Sequence, residues 1–333
     1  MINRRNLDPS LLNWLMGITG LGPGLGDVHY LVPVASAYYS WLRDDLKQEP
    51  SKIHFNLADG YNALTASRND VLLTYPGTYL ATTEQVWAKA NTHLIGMAGP
   101  NVLGDHTEPS VVFHTQTANV AATLSVTGGG CQFHNFQLIN NASDADNLTA
   151  GEIDSYSSYW KNVAFQGHYG ATQNSTAVCA SLYIMDGAFN PIFDHCTIGQ
   201  DNWGTRSAAN SGVLRFADTT GRPSGGQFLD CLFLSRSVTS TVCMVAVPAA
   251  QCIGRSWLFK NCHFSNFYDE VTLLNQVFYT VTGTQKFTMQ LKGCSSAGFT
   301  EWQTGDFSVV VSDMPITGLG GGQMRQPTAS VGS

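Results

Sequence analysis

The sequence predicts an all-β solenoid, a coil of short parallel strands, on three observations. One short pattern returns at near-regular intervals, the units between its copies hold brief alternating apolar runs, and charged residues are scarce. The pattern is aromatic, any residue, Asn/Asp/His, Cys, any residue, apolar. It reads Phe193-Asp194-His195-Cys196-Thr197-Ile198, Phe228-Leu229-Asp230-Cys231-Leu232-Phe233 and Phe259-Lys260-Asn261-Cys262-His263-Phe264. Looser copies are Phe133-His134-Asn135-Phe136-Gln137-Leu138, Trp160-Lys161-Asn162-Val163-Ala164-Phe165 and Leu291-Lys292-Gly293-Cys294-Ser295-Ser296. The column Phe136, Val163, Cys196, Cys231, Cys262 and Cys294 advances by 27, 33, 35, 31 and 32 residues.

A repeat of that length points to a solenoid, a propeller or an array. Helical repeats need longer stretches of 3.6-residue periodicity, whereas these units carry short runs rich in Phe, Val and Thr. Such runs are Ala122–Val126, Ser181–Met185, Gly212–Phe216, Met244–Val247 and Gln276–Val281. A propeller blade needs four strands and a longer unit. Two or three strands per turn, stacked about 4.8 Å apart, remain.

The pattern then has a physical reading. The first aromatic residue points inward at the end of one strand. Asn, Asp or His sits at the bend, where a left-handed backbone is tolerated and a side chain can bond to the same position in the next turn. Cys and the final apolar residue open the next strand, facing in, because Cys is small and readily buried. The cysteines are therefore expected to be a packing ladder of reduced thiols. Eight cysteines in a long chain without a secretory leader do not suggest a disulfide framework.

Composition excludes several function classes. Hydrophobic residues make up 43% of the 333, enough for a large core, while only 12% are charged, against about 25% in an average domain. A net charge of −7, with Arg4-Arg5 as the single adjacent basic pair, is not that of a nucleic-acid binder. The apolar stretch Leu11–Val34 is broken by glycines and prolines and carries Asp27 and His29, so no membrane span is expected.

These rungs, with Asp70-Val71-Leu72-Leu73-Thr74-Tyr75-Pro76-Gly77-Thr78-Tyr79 and Asn91-Thr92-His93-Leu94-Ile95-Gly96, resemble the right-handed parallel β-helix of the pectate-lyase-like superfamily. The likeness runs from about Ile53 to Phe299 and implies the architecture; that fold hosts lyases, hydrolases, esterases and inert phage spikes alike. Three regions follow: residues 1–52 as an N-terminal arm and helical cap, 53–299 as the coil, and 300–333 as a last strand and a Gly-rich tail. Asp8–Met16 and Ala35–Leu46 are expected to be helical, covering an open sheet end that would otherwise aggregate. Residues 1–34 could alternatively form an arm that docks on a neighbouring subunit. The tail from Ile316 is expected to be flexible.

A catalytic set is not evident. Two columns come closest: Asp194 with Lys161 and Lys260, an outward column that also holds His134 and Leu229, and the bend column with Asp230. The second is better explained by bend geometry. Asp186, Asp201, Asp218, Asp269, Glu270, Glu301 and Asp306 share no register. The nine histidines show no metal-ligand spacing, and no Gly-x-Ser-x-Gly elbow occurs. Neither cofactor nor metal is expected. Among loop aromatics that could stack on sugars (Tyr156, Tyr159, Trp203, Trp257, Phe267, Tyr268 and Trp302), Trp203 in Gln200-Asp201-Asn202-Trp203-Gly204 is the leading candidate. Trp203, Asp201 and Tyr268 are thus the candidate contacts for a glycan or partner.

The resemblance extends to virion spikes and decoration proteins of tailed bacteriophages, many of which join a short N-terminal attachment region to a β-helix. It implies a non-enzymatic virion protein, chiefly a homotrimeric capsid decoration (cement) protein touching the major capsid protein through residues 1–34. The alternative is a tail spike or free enzyme that binds or cleaves polysaccharide.

Overall fold

The computed structural model describes residues 26–312, apart from 101–109, 143, 169–171, 173–174, 200–204, 218–220, 250–251, 269–272, 282–287 and 306–309. Helix Asp8–Met16, the tail, Trp203, Asp201, Asp218, Asp269, Glu270 and Asp306 lie outside the described residues.

The described chain is a parallel β-helix with three faces. Sheet 1 runs through Ile53–His54, Val28–Leu31, Asp70–Thr74 and Thr92–Gly96, then the first halves of Gln132–Asn140 and Tyr159–His168. It continues through Ile192–Asp194, Gln227–Leu229, Trp257–Lys260, Met289–Lys292 and Val310–Ser312. Sheet 2 begins with Gly77–Ala81 and Val111–Thr115 and takes the second halves of the same two long strands. It then follows Thr197–Gly199, Leu232–Ser235, His263–Asn266 and Ser295–Ala297. Sheet 3 stacks Gln85–Trp87, Ala122–Val126, Thr149–Ile153, Ala180–Ile184, Leu214–Phe216, Val245–Val247, Leu274–Thr280 and Phe299–Gly305.

The repeated pattern fills the bore as its residue types require. Phe193, Phe228 and Phe259 stack face to face, with centroids 4.6 Å and 4.9 Å apart and ring planes within 13°. Phe233 stacks on Phe264 at 4.6 Å. Cys196, Cys231 and Cys262 are buried between these two aromatic columns, and Cys294 is half-buried. Each thiol donates to the carbonyl of the aromatic residue one turn back: Trp160, Phe193, Phe228 and Phe259, at 3.5, 3.4, 3.4 and 3.2 Å. A small side chain with a weak donor therefore fits the corner better than Ala would. Burial pushes the Cys231 thiol well up and those of Cys179 and Cys243 to about 11 and 12, so they stay protonated. All eight cysteines are unpaired thiols.

The bend column is left-handed throughout. Asn135, Asn162, His195, Asp230, Asn261 and Gly293 have φ between 52° and 64°. Asn162 donates to Asn135 Oδ1 and Asn261 to Asp230 Oδ1, both at 3.0 Å. Asn261→Ala is expected to cost about 2 kcal/mol, combining left-handed strain with a lost hydrogen bond. Asn261→Gly should cost about half as much, because glycine removes the strain; urea unfolding of the two variants checks the difference.

The N-terminal segments are placed differently from expectation. The helical stretch at Ala35–Leu46 is real, with an α-helical turn Ala37–Ser40 running into a π-helical turn Trp41–Asp45. It covers no open end. Leu42 and Tyr39 pack on the outer face of sheet 1, against Val28, Tyr30, Val71, Leu73 and Ile95, because that face alternates apolar residues outward as well as inward. The bore is capped instead by helix Leu57–Ala63, whose Leu57, together with Leu64, joins the cluster of interior residues Leu31, Leu72 and Trp87. Asn56 caps it, accepting from the Asp59 N–H at 2.8 Å. Strand Val28–Leu31, within the region read as an arm, is a rung of sheet 1.

Candidate functional site

At the corner between sheets 1 and 2, the two columns singled out in the sequence converge on Asp194. Its position at the end of strand Ile192–Asp194 turns the carboxylate outward, and the left-handed His195 folds back beside it. Asp194 Oδ1 lies 2.5 Å from His195 Nδ1, and Oδ2 accepts from the Tyr159 hydroxyl at 2.6 Å, with Lys161 Nζ at 3.6 Å. Tyr159 and Lys161 stand one turn earlier on the same face. Asp230, one turn later in the bend column, brings a second carboxylate within 4.8 Å of the Asp194 and His195 ligand atoms.

The electrostatics are those of a knitted cluster. Burial pushes the Asp194 carboxyl up, but hydrogen bonds from Tyr159 and His195 and the nearby positive charges outweigh it, holding the pKa below the usual value. The Tyr159 phenol is pushed up by burial and by its bond to the carboxylate. Asp194, His195 and Asp230 are the one group of three metal-type donors among the described residues; it carries the donor set for an ion but no further feature that points to one. Lys260 is exposed in the following turns, and Leu229 lies between it and Asp194 in the ladder.

His134, expected to face outward, does sit on the outer face but is fully buried, its ring 5.6 Å from that of Tyr159. Its pKa is lowered to about 4, first by burial and then by the nearness of the His93 ring and the Lys161 ammonium. His263 is half-buried and bonds to Ser295 Oγ at 2.9 Å. Of the candidate contacts, Tyr268 is exposed, with the Arg236 guanidinium 5.1 Å from its ring centre. Trp257 and Trp302 are core residues, not sugar platforms.

A second acidic group escaped the sequence reading. On the outer face of sheet 3, Ser125 donates to Glu152 Oε1 at 3.0 Å, and Glu84 lies beside the same hydroxyl. Burial raises both pKa values, and for Glu152 the charges of Glu84 and Asp154 raise it further. Further along the same column, Arg215 Nε donates to the Tyr183 hydroxyl at 3.2 Å. The pattern was hidden because Glu84 precedes its strand while Glu152 sits within one, so no fixed spacing links them.

No protein-family model matches the sequence. No curated protein sequence matches it either. Among solved structures, the chain is similar to the pectate lyase Pel9A, with a TM-score of 0.53 and 10% identity, over 85% of this chain and 66% of that one. It thus spans just under two thirds of that enzyme's length. Further similar structures are the pectin methylesterase PemA from Erwinia chrysanthemi (TM-score 0.44, 13% identity, 84% and 93% covered) and ORF18 of Geobacillus virus E2 (TM-score 0.45, 13% identity, 77% and 56% covered). At 10% identity the likeness to the pectate lyase is one of architecture: the chain is built as a parallel β-helix of the pectate-lyase type.

Proposed function

We propose that the chain is a non-enzymatic structural protein of a tailed-phage virion, a homotrimeric capsid decoration (cement) protein. One observation carries the reading: at the corner the sequence marks as closest to a catalytic set, both oxygens of Asp194 are taken by the chain's own groups. A carboxylate held ionised and tied on both sides stiffens a corner and leaves little to offer a substrate. Low charge and a bore packed with stacked aromatics suit a rigid, inert body. Contact with the major capsid protein falls to the residues ahead of strand Val28–Leu31, since that strand is committed to the coil.

A second reading, a spike or enzyme acting on polysaccharide, is favoured by the neighbouring half-buried carboxyls of Glu84 and Glu152 and by the fold held in common with a pectate lyase. Incubation of the full chain with polygalacturonate, methylated pectin and neutral glucans separates the two. The structural reading predicts neither new reducing ends nor unsaturated products. Cleavage that is abolished by Glu152→Gln would replace it with the second.

A further inference from the structure

The corner between sheets 3 and 1 carries exposed aromatic rings that the virion reading does not use. Tyr156 and Phe189 are 58% and 44% exposed, the two most exposed aromatic side chains among the described residues. They occupy the same position on successive turns, joined by a parallel bridge that continues to Ser224. The residues that follow them, Ser157 and Asn190, are left-handed (φ 54° each), and that bend lifts the rings to the rim of the coil. Tyr156 is not loose: a Cβ on Gly129, one turn earlier, would lie 2.2 Å from its ring, so the ring rests flat on that backbone. The step reads small, aromatic, aromatic, small along the axis: Gly129, Tyr156, Phe189, Ser224. Beside it stand the half-buried carboxylates of Asp154 and Asp186, with Asp154 Oδ1 fixed by the Gly187 N–H at 2.6 Å.

The geometry points to a glycan-docking step that takes an uncharged polysaccharide chain lying along the coil axis. Successive turns are about 4.8 Å apart, close to the advance of one pyranose ring in an extended glycan. Aromatic faces carry negative charge and receive the C–H face of a sugar. The carboxylate rim accepts hydroxyl hydrogens and repels uronic acids, in keeping with the net charge of −7. Ligand sites commonly combine such an apolar floor with a few placed polar groups. The step is independent of the virion reading, because a free monomer would carry it equally.

The test is binding of the full chain to a printed array of neutral and uronic-acid glycans. Titration calorimetry then follows on the best-bound neutral hexasaccharide and on hexagalacturonate. Binding of neutral chains, at least tenfold tighter than of hexagalacturonate, is expected. Tyr156→Ser and Phe189→Ser should each weaken it by tenfold or more with the melting temperature unchanged, as both side chains are exposed. Asp154→Asn, which keeps an acceptor for Gly187, should narrow the preference against hexagalacturonate. The proposal is overturned if no neutral glycan is retained, or if both Ser variants bind like the parent. It is overturned equally if those variants change the native mass, which would make the step a subunit contact.

Discussion

A Cys231→Asp chain is expected not to fold under conditions in which the parent chain is native. Cys231 is 2% exposed, between the Phe228 and Phe233 columns, with thiols above and below it. Among the described residues no cation stands beside that position, and burying a carboxylate without a partner costs several kcal/mol or more. A marginally stable domain holds only about 5–15 kcal/mol in all. Protonation does not rescue the variant, because the neutral acid still brings two oxygens into a site with one carbonyl to satisfy. Cys231→Ser is the control: it keeps a donor for the Phe193 carbonyl and should fold with a loss of about 1–3 kcal/mol. Far-UV circular dichroism and the soluble yield of the two variants check this. A Cys231→Asp chain that melts like the parent would mean the column does not face the bore.

Acid should loosen the protein through its buried histidines, between about pH 6.5 and 4. His93 and His134 are buried on the outer face of sheet 1 and His29 on its inner face, in register with Leu72, and burial lowers each pKa from 6.5 to about 4. The His29 and His54 rings share one hydrogen bond of 3.1 Å, which requires at least one neutral ring, and the Gln132 backbone N–H donates to His93 Nδ1 at 3.2 Å. The folded state thus binds fewer protons than the unfolded chain between about pH 6.5 and 4. Stability is full above pH 6.5 and falls with pH through that window. At about 1.4 kcal/mol per pKa unit the three sites together are worth several kcal/mol. Glu84 and Glu152 act with the opposite sign: their raised pKa values contribute stability that is present at low pH and lost as pH rises through the folded value. They offset part of the slope. Thermal melts from pH 8 to pH 4.5 should show a falling midpoint, and His93→Gln should flatten the curve. A midpoint constant across that range would contradict the buried, neutral state of these rings.

The coil was legible because its interior demands the same residue at the same height in every turn. Phe193, Phe228 and Phe259 stack because each fixes the space the next must fill, and the left-handed bend admits few residues besides Asn, Asp, His and Gly. The corner from sheet 3 to sheet 1 obeys the same rule but mixes Asn69, Asn91, Gly130, Ser157, Asn190 and Gly225, so no motif announces it. Strand Thr149–Ile153 was missed for a related reason. Its Gly151 leaves room for Phe165, whose ring a Cβ would meet at 2.7 Å, so apolar bulk is supplied from across the bore. The capping helix Leu57–Ala63 reads poorly as a helix because it contains Gly60, which lets it approach Leu72. The Asp194 cluster was visible because its members keep ladder register, whereas Glu84, Ser125 and Glu152 meet only after the chain has coiled.

The measurement that bears most directly on the account is the native mass of the full chain by light scattering coupled to size exclusion. The proposed decoration protein predicts a species of three times the 36.0 kDa chain, stable on dilution. A monomer at every concentration would contradict it and leave the coil as a free glycan-binding or glycan-cleaving protein.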